Sequence, residues 1–290
     1  MPAVRRPDDP PSKEATITST TTTHTTAAAL SADGTEIAYE VTGSGPALVV
    51  VDGAMCQRSM GPARGLAQQL ADSFRVYAYD RRGRGESGSG SSPYDVQREV
   101  EDLVAVIGAA GGRAHVLGVS SGAALALEAA RQGAPIDRLA VYEAPFIVDG
   151  TRPPNDPRLP ERLQAMVEND RRADAVTTFL RTVGMPAPLT VLIRLLPMWK
   201  QMTGIAHTLP YDSRIVIAHE QGRPLPEGYY AGVTADTLVV AGGNSPQYMR
   251  NAQAAIAAAV PNARLETLPG QTHMIKPKVL APVLRAFLGG

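Results

Sequence analysis

The chain of 290 residues lacks the features that mark several common classes of protein. Its only cysteine, Cys56, has no partner for an internal disulfide, so nothing indicates an oxidising compartment. No run of about 18 apolar residues occurs, which excludes an ordinary transmembrane helix. The five histidines show no metal-binding spacing such as H-x-x-x-H, and no metal site is expected.

Charge of one sign is also lacking. The 28 lysine and arginine residues balance the 28 aspartate and glutamate residues, so electrostatics gives no reason to expect a nucleic-acid partner. The 44% hydrophobic content is enough for a sizeable core, and the length suits one domain with an insertion. We expect a soluble, cytoplasmic protein that acts on a small molecule away from the membrane. These features leave its oligomeric state open.

Residues 1–26 differ in composition from the rest of the chain. They combine four prolines with a threonine-rich run, and they offer little apolar surface to offset the entropy lost on ordering. They also lack the apolar core of a secretory signal. The segment is therefore predicted to be a disordered leader.

Strand patterns then alternate with helix patterns. Residues 47–53 contain a continuous apolar run, typical of a strand buried on both faces. Alternation with short links predicts an α/β fold, a mostly parallel sheet with helices on both faces. Over residues 146–232, prolines and helical stretches interrupt the alternation. We predict that this segment is a helical cap, inserted between the core segments 27–145 and 233–290.

The strand–helix unit at residues 113–131 carries the most informative motif. Gly118-Val-Ser120-Ser-Gly122 matches G-x-S-x-G, in which the serine stands on a strained strand-to-helix turn. The glycines occupy places where a side chain would clash. Ser120 is therefore predicted to be a nucleophile. The alternative is a turn serine whose hydroxyl is satisfied locally.

A serine nucleophile needs a base, and His273 is the best candidate among the histidines. It follows the last predicted strand, in a loop of small and polar residues that lets it reach back over the sheet edge. Structural roles are expected for the other four histidines: His24, His115, His207 and His219.

These motifs, with Tyr79-Asp-Arg-Arg-Gly-Arg-Gly-Glu-Ser-Gly88 and Gln271-Thr-His273, make residues 27–290 resemble an α/β-hydrolase. The resemblance implies a Ser-His-acid triad at the carboxyl edge of an eight-stranded sheet, below a helical cap. It also implies that the backbone N–H groups of Ala54 and Ser121 form the oxyanion hole.

Two positions depart from the family pattern. Asp52 replaces the histidine that usually follows the third strand, and its carboxylate is expected to point away from the oxyanion site or to be paired. Asn244 stands where most members carry the triad acid, and asparagine cannot stabilise an imidazolium by charge. Glu143 follows the sixth strand, the position from which haloalkane dehalogenases supply their acid. We predict Glu143 as the acid, the alternative being a solvated or cap-anchoring glutamate.

The resemblance implies cleavage of an ester, lactone or related acyl compound through an acyl-enzyme. Phe146, Met198 and Trp199 are predicted to contact a small or medium hydrophobic substrate, although ordinary core packing would also suit them. The departures at Asp52 and Asn244 keep two other functions open. One is a non-hydrolytic enzyme, such as a lyase or cyclase, and the other is a ligand-binding receptor.

Residues 83–88 formally match the dinucleotide motif G-x-G-x-x-G. A dinucleotide site requires this motif to open a helix, whereas here the sequence continues as a loop. No nicotinamide or flavin cofactor is therefore expected.

Overall fold

A mixed sheet of eight strands organises the chain in the computed structural model, which describes residues 25–90 and 94–289. The strands are β1 (Thr25–Leu30), β2 (Glu36–Thr42), β3 (Ala47–Val51), β4 (Arg75–Tyr79), β5 (Ala114–Val119), β6 (Ile136–Tyr142), β7 (Asp236–Gly242) and β8 (Ala263–Leu268). Their order is β1-β2-β4-β3-β5-β6-β7-β8. Strand β2 runs antiparallel to β1 and β4, and the other neighbours are parallel. The predicted α/β fold with a mostly parallel sheet is confirmed.

The first strand begins two residues earlier than expected. Thr25 and Thr26 belong to β1, where they pair with Val41 and Glu40 of β2. The remainder of the predicted leader, residues 1–24, lies outside the described residues.

Helices follow most of the strands. They are α1 (Ala63–Leu70), α2 (Val96–Ala109), α3 (Ser121–Arg131), α4 (Leu159–Glu168), α5 (Arg172–Thr182), α6 (Ala187–Leu192), α7 (Met198–Gly204), α8 (Leu209–Val216), α9 (Gln247–Ala259) and α10 (Pro277–Leu288). Helix α2 shows how the sequence sets a boundary, because the Asp95 carboxylate accepts a hydrogen bond from the backbone N–H of Gln97 at 2.9 Å. Within the described ranges, no helix is both long and apolar enough to cross a membrane.

Strand β3 explains why both faces of the sheet are covered. Successive side chains point to opposite faces. Leu48 and Val50 pack in the cluster that includes α1 and α10, whereas Val49 and Val51 pack in the cluster that includes α2, α3 and α9. All four are fully buried, and burial of each contributes about 1.5–3 kcal/mol relative to exposure.

Helices α4 to α8 lie between β6 and β7 in the sequence. Their apolar side chains, including Leu163, Val176 and Leu209, form a cluster of their own. Met55, from the loop that follows β3, packs into the same cluster. This contact joins the helical insertion to the carboxyl edge of the sheet.

Gly122 offers a test of the tight packing between α3 and β3. A Cβ atom there would lie 2.6 Å from the Asp52 carbonyl oxygen and closer still to that of Val51. We expect Gly122→Ala to lower the free energy of unfolding by about 1–3 kcal/mol, because the backbone must shift to admit the methyl group. Urea denaturation measures the change.

Gly108 is the matched control, since a Cβ atom on this exposed glycine of α2 would meet no atom within 4 Å. We expect Gly108→Ala to raise the free energy of unfolding by up to about 1 kcal/mol, through helix propensity. Equal effects of the two substitutions would contradict the packing explanation.

Candidate active site

Ser120 lies on a sharp turn between β5 and α3. Its φ of 56° and ψ of −124° are unusual for a residue with a side chain, and such a conformation costs about 1–3 kcal/mol. The turn also needs close backbone approach, because a Cβ atom on Gly118 would lie 2.6 Å from the Cα atom of Ala123. Ser120 is thereby held, partly exposed, at the carboxyl edge of the sheet.

Glu143 stands at the end of β6 in a second strained conformation, with a φ of 48°. The residue is fully buried. Its Oε1 accepts a hydrogen bond from the backbone N–H of Gly242 at 2.7 Å, and its Oε2 lies 2.9 Å from Nδ1 of His273. Strand β7 therefore fixes one carboxylate oxygen and leaves the other for the imidazole.

His273 is carried by the loop that follows β8, and two hydrogen bonds hold this loop. The Tyr142 hydroxyl donates to the Thr272 carbonyl at 2.6 Å, and the Asn244 backbone N–H donates to the Gln271 carbonyl at 2.8 Å. The outcome is a contact of 3.1 Å between His273 Nε2 and the Ser120 hydroxyl oxygen. Tyr142 was not singled out from the sequence, because a tyrosine at a strand end gives no such signal.

The two contacts of His273 define its tautomer. A carboxylate can only accept a hydrogen bond, so the contact with Glu143 places the ring proton on Nδ1. Nε2 is then free to accept the Ser120 hydroxyl proton. The structure thus brings Ser120, His273 and Glu143 together in the order that proton transfer requires. The Asn244 side chain is exposed to solvent, and Glu143, not Asn244, is bonded to His273.

The residues predicted to form the oxyanion hole flank Ser120. Ser121 is the first residue of α3, where backbone N–H groups have no acceptor within the helix. Ala54 follows Gly53, whose position is so close to the turn that an added Cβ would lie 2.9 Å from the Ser120 Cβ. Met55, the next residue, has a φ of 59°.

Asp52, at the end of β3, carries an isolated carboxylate. It is 2% exposed, and neither carboxylate oxygen has a side-chain hydrogen-bond partner among the described residues. Burial raises the pKa of Asp52 to about 7, against the lowering effects of Arg84, the Ala63 backbone N–H and Arg81. The side chain is directed toward Gly61, where an added Cβ would lie 2.6 Å from Oδ2. Of the two expected arrangements, a paired carboxylate is not found, and the side chain points toward Gly61.

The predicted substrate contacts separate into two groups. Phe146 has no exposed surface and packs in the core with its ring 4.6 Å from that of His219. Met198 is 42% exposed on α7. Trp199 is partly buried and packs against the apolar cluster formed by helices α4 to α8. Their contact with a substrate stays a prediction.

Comparison with known proteins identifies the family. Residues 55–282 match the sequence profile described as the alpha/beta hydrolase family. The chain belongs to this family. Across residues 25–90 and 94–289, no group of three or more histidine, cysteine, aspartate or glutamate side chains could hold a metal ion.

Three relatives give the scale of similarity. The crystal structure of an alpha/beta hydrolase from Sphaerobacter thermophilus is 46% identical, with a TM-score of 0.83 over 90% of this chain and 100% of that one. An esterase from Exiguobacterium antarcticum shares the fold, with 18% identity and a TM-score of 0.68 over 92% of this chain and 100% of that one. N-formylmaleamate deformylase from Pseudomonas putida is 36% identical over 123 residues, which span 41% of each protein. The first similarity agrees with membership of the hydrolase family, and the second shows the fold.

The raised pKa of Asp52 predicts a pH-dependent stability. A carboxyl group whose pKa is raised on folding stabilises the native state fully below its unfolded pKa of about 3.9, and this stabilisation is lost as the pH rises through its folded pKa. Asp52→Asn cannot ionise. We expect its free energy of unfolding to increase relative to the wild type between pH 4 and about pH 7, and the difference to level off above that range.

Urea denaturation of both proteins at a series of pH values measures the difference. A constant offset over the whole range would contradict the raised pKa, because the charge on Asp52 would then be the same in the folded and unfolded states.

Proposed function

We propose that this protein is a serine hydrolase that cleaves an ester, lactone or related acyl bond through an acyl-enzyme. The observation that carries the proposal is the pair of contacts made by His273, 3.1 Å to the Ser120 hydroxyl oxygen and 2.9 Å to Glu143 Oε2. A nucleophile, a base within hydrogen-bond reach and a buried group that orients the base are the parts that acyl transfer by serine requires.

The reaction begins when Ser120 attacks the substrate carbonyl carbon. His273 Nε2 takes the hydroxyl proton, and the carbonyl electron pair moves onto the oxygen. The N–H groups of Ala54 and Ser121 bind this oxyanion, while Glu143 stabilises the imidazolium. The tetrahedral intermediate expels the alcohol, which leaves with the proton from His273. Water then repeats the sequence to release the acid and regenerate Ser120.

The cap supports a small or medium hydrophobic substrate. The buried members of the apolar cluster of α4 to α8 are aliphatic and methionine side chains, and they include Met55. Ala54 packs against this cluster. Met198 and Trp199 on α7 are the proposed contacts for the substrate. The partial similarity to a deformylase favours including amide-type acyl bonds among the candidates.

A fluorophosphonate probe distinguishes this proposal from the two alternatives. Labelling at Ser120, together with turnover of p-nitrophenyl esters, supports the hydrolase. Labelling without hydrolysis of any acyl substrate indicates the non-hydrolytic enzyme, such as a lyase or cyclase. Absence of labelling indicates a binding protein and contradicts the proposal. Mass spectrometry of the labelled peptide identifies the modified residue, and Ser120→Ala is the negative control.

Substitution of Glu143 tests the third member of the triad. We expect Glu143→Gln to lower kcat/KM by about 10⁴, because glutamine can hold the imidazole but cannot stabilise its positive charge. Steady-state hydrolysis of p-nitrophenyl butyrate provides the measurement.

The control is Asn244→Ala. Only the backbone of Asn244 binds the His273 loop, so we expect kcat/KM to stay within about threefold of the wild type. A loss below about tenfold in Glu143→Gln would show that Glu143 is not the triad acid.

A further inference from the structure

Two buried guanidinium groups hydrogen-bond to the backbone of the loop that contains Ala54. Arg84 Nη1 donates to the Gly53 carbonyl oxygen at 2.7 Å. Arg81 Nη1 donates to the Asp52 carbonyl oxygen at 3.3 Å. Both arginines are 1% exposed, and both come from the segment that follows β4. Neither contact involves a side chain of the proposed triad.

The Arg84 contact acts on the peptide group that carries one proposed oxyanion donor. The Gly53 carbonyl and the Ala54 N–H belong to the same planar unit. A guanidinium fixed on the oxygen therefore restricts the direction in which the N–H points. The hydrogen bond is also charge-assisted and polarises the peptide, which strengthens the N–H as a donor.

The second proposed donor is held through its side chain. The Ser121 hydroxyl donates to Asp212 Oδ1 at 2.8 Å, and Arg81 Nη1 approaches the same hydroxyl oxygen at 3.2 Å. Ser121 is 3% exposed, so water does not compete for these bonds. Arg81 therefore hydrogen-bonds both to Ser121, which contributes the second N–H, and to the Asp52 carbonyl oxygen.

One carboxylate from the cap links both arginines. Asp212, on α8, accepts from Arg81 Nη1 at 2.7 Å through Oδ1 and from Arg84 Nη2 at 2.6 Å through Oδ2. Burial alone would raise the pKa of Asp212, but the two guanidinium groups outweigh it and lower the pKa, so the carboxylate stays charged. Helix α8 therefore contributes a buried negative charge, which binds the two arginines beneath the proposed oxyanion hole.

We propose that Arg81, Arg84 and Asp212 are positioning residues that fix both oxyanion donors. The position of helix α8, which carries Asp212, thereby controls the geometry of the oxyanion hole. This inference rests on the proposed serine mechanism. Because the oxyanion develops only in the transition state, disturbance of the cluster lowers kcat and leaves KM nearly unchanged.

The test is Asp212→Asn, which keeps the size of the side chain and removes its charge. We expect kcat for p-nitrophenyl butyrate to fall about 10- to 100-fold with KM within about threefold, less than the 10²–10³ lost when an oxyanion donor is removed outright. The rate of fluorophosphonate labelling should fall in parallel, because its tetrahedral adduct uses the same donors. Ser121→Ala removes a single hydroxyl and should show a smaller loss of the same kind.

Asp102→Asn is the matched control. Asp102 is also 1% exposed and pairs with Arg82, the neighbour of Arg81, at 2.7 Å. The other hydrogen-bond partners of Arg82 are Asp33, Thr35 and the Arg98 carbonyl, all away from the oxyanion loop. We expect Asp102→Asn to lower the thermal midpoint as Asp212→Asn does, while kcat stays within about threefold.

Each outcome decides the inference. An unchanged kcat in both Asp212→Asn and Ser121→Ala would overturn it, and so would an equal loss of kcat in Asp102→Asn. If Asp212→Asn does not fold, Ser121→Ala decides. Failure of the wild type to react with the probe at Ser120 is a separate result, since it contradicts the serine mechanism itself.

Discussion

The close approach of backbone at the carboxyl ends of three neighbouring strands is the constraint on which the site depends. Strands β3, β5 and β6 lie side by side, and beyond their ends Met55, Ser120 and Glu143 all have positive φ values. Each such conformation costs about 1–3 kcal/mol and persists only where the surroundings hold it. The apolar strands behind them, buried on both faces, supply that support. Three of the four non-glycine residues with positive φ in the described chain therefore lie at the edge that carries the proposed triad.

Pairing, more than burial, decides the charge of each carboxylate at this edge. Asp52 and Asp212 are equally buried, yet their pKa values move in opposite directions. Asp52 has no side-chain hydrogen-bond partner in the described chain, so the cost of desolvation dominates. Asp212 accepts hydrogen bonds from two guanidinium groups and a hydroxyl, which stabilise its ionised form. The same edge thus holds one carboxyl group that titrates near neutrality and one that stays charged.

Local patterns predicted the fold and part of the site from the sequence. The alternation of strands and helices and the motif around Ser120 depend on neighbouring residues, so they could be identified before the structure was known. The family resemblance predicted Glu143 instead of Asn244 as the acid, but not the hydrogen bond from the Gly242 N–H to Glu143, which depends on the register of β6 against β7. Local patterns did not predict the complete burial of Phe146, which depends on packing against distant residues such as His219. Asp212 gave no signal, because its partner Ser121 lies 91 residues away in the sequence.

Burial of so many charges beneath the site calls for an explanation other than stability. Buried ion pairs cost desolvation energy that often exceeds their attraction, and apolar side chains of similar volume serve stability as well or better. An apolar floor, however, could not bind the carbonyl oxygens of Asp52 and Gly53 or the Ser121 hydroxyl. These polar groups all belong to segments that pass directly beside Ser120, and the two carbonyl oxygens would lose these hydrogen bonds without the arginines. The two guanidinium groups satisfy them in fixed directions, and the carboxylates of Asp212 and Glu99 balance the two positive charges. On the proposed mechanism, the benefit of this arrangement is orientation of the backbone donors, which a hydrophobic core of equal stability would not provide.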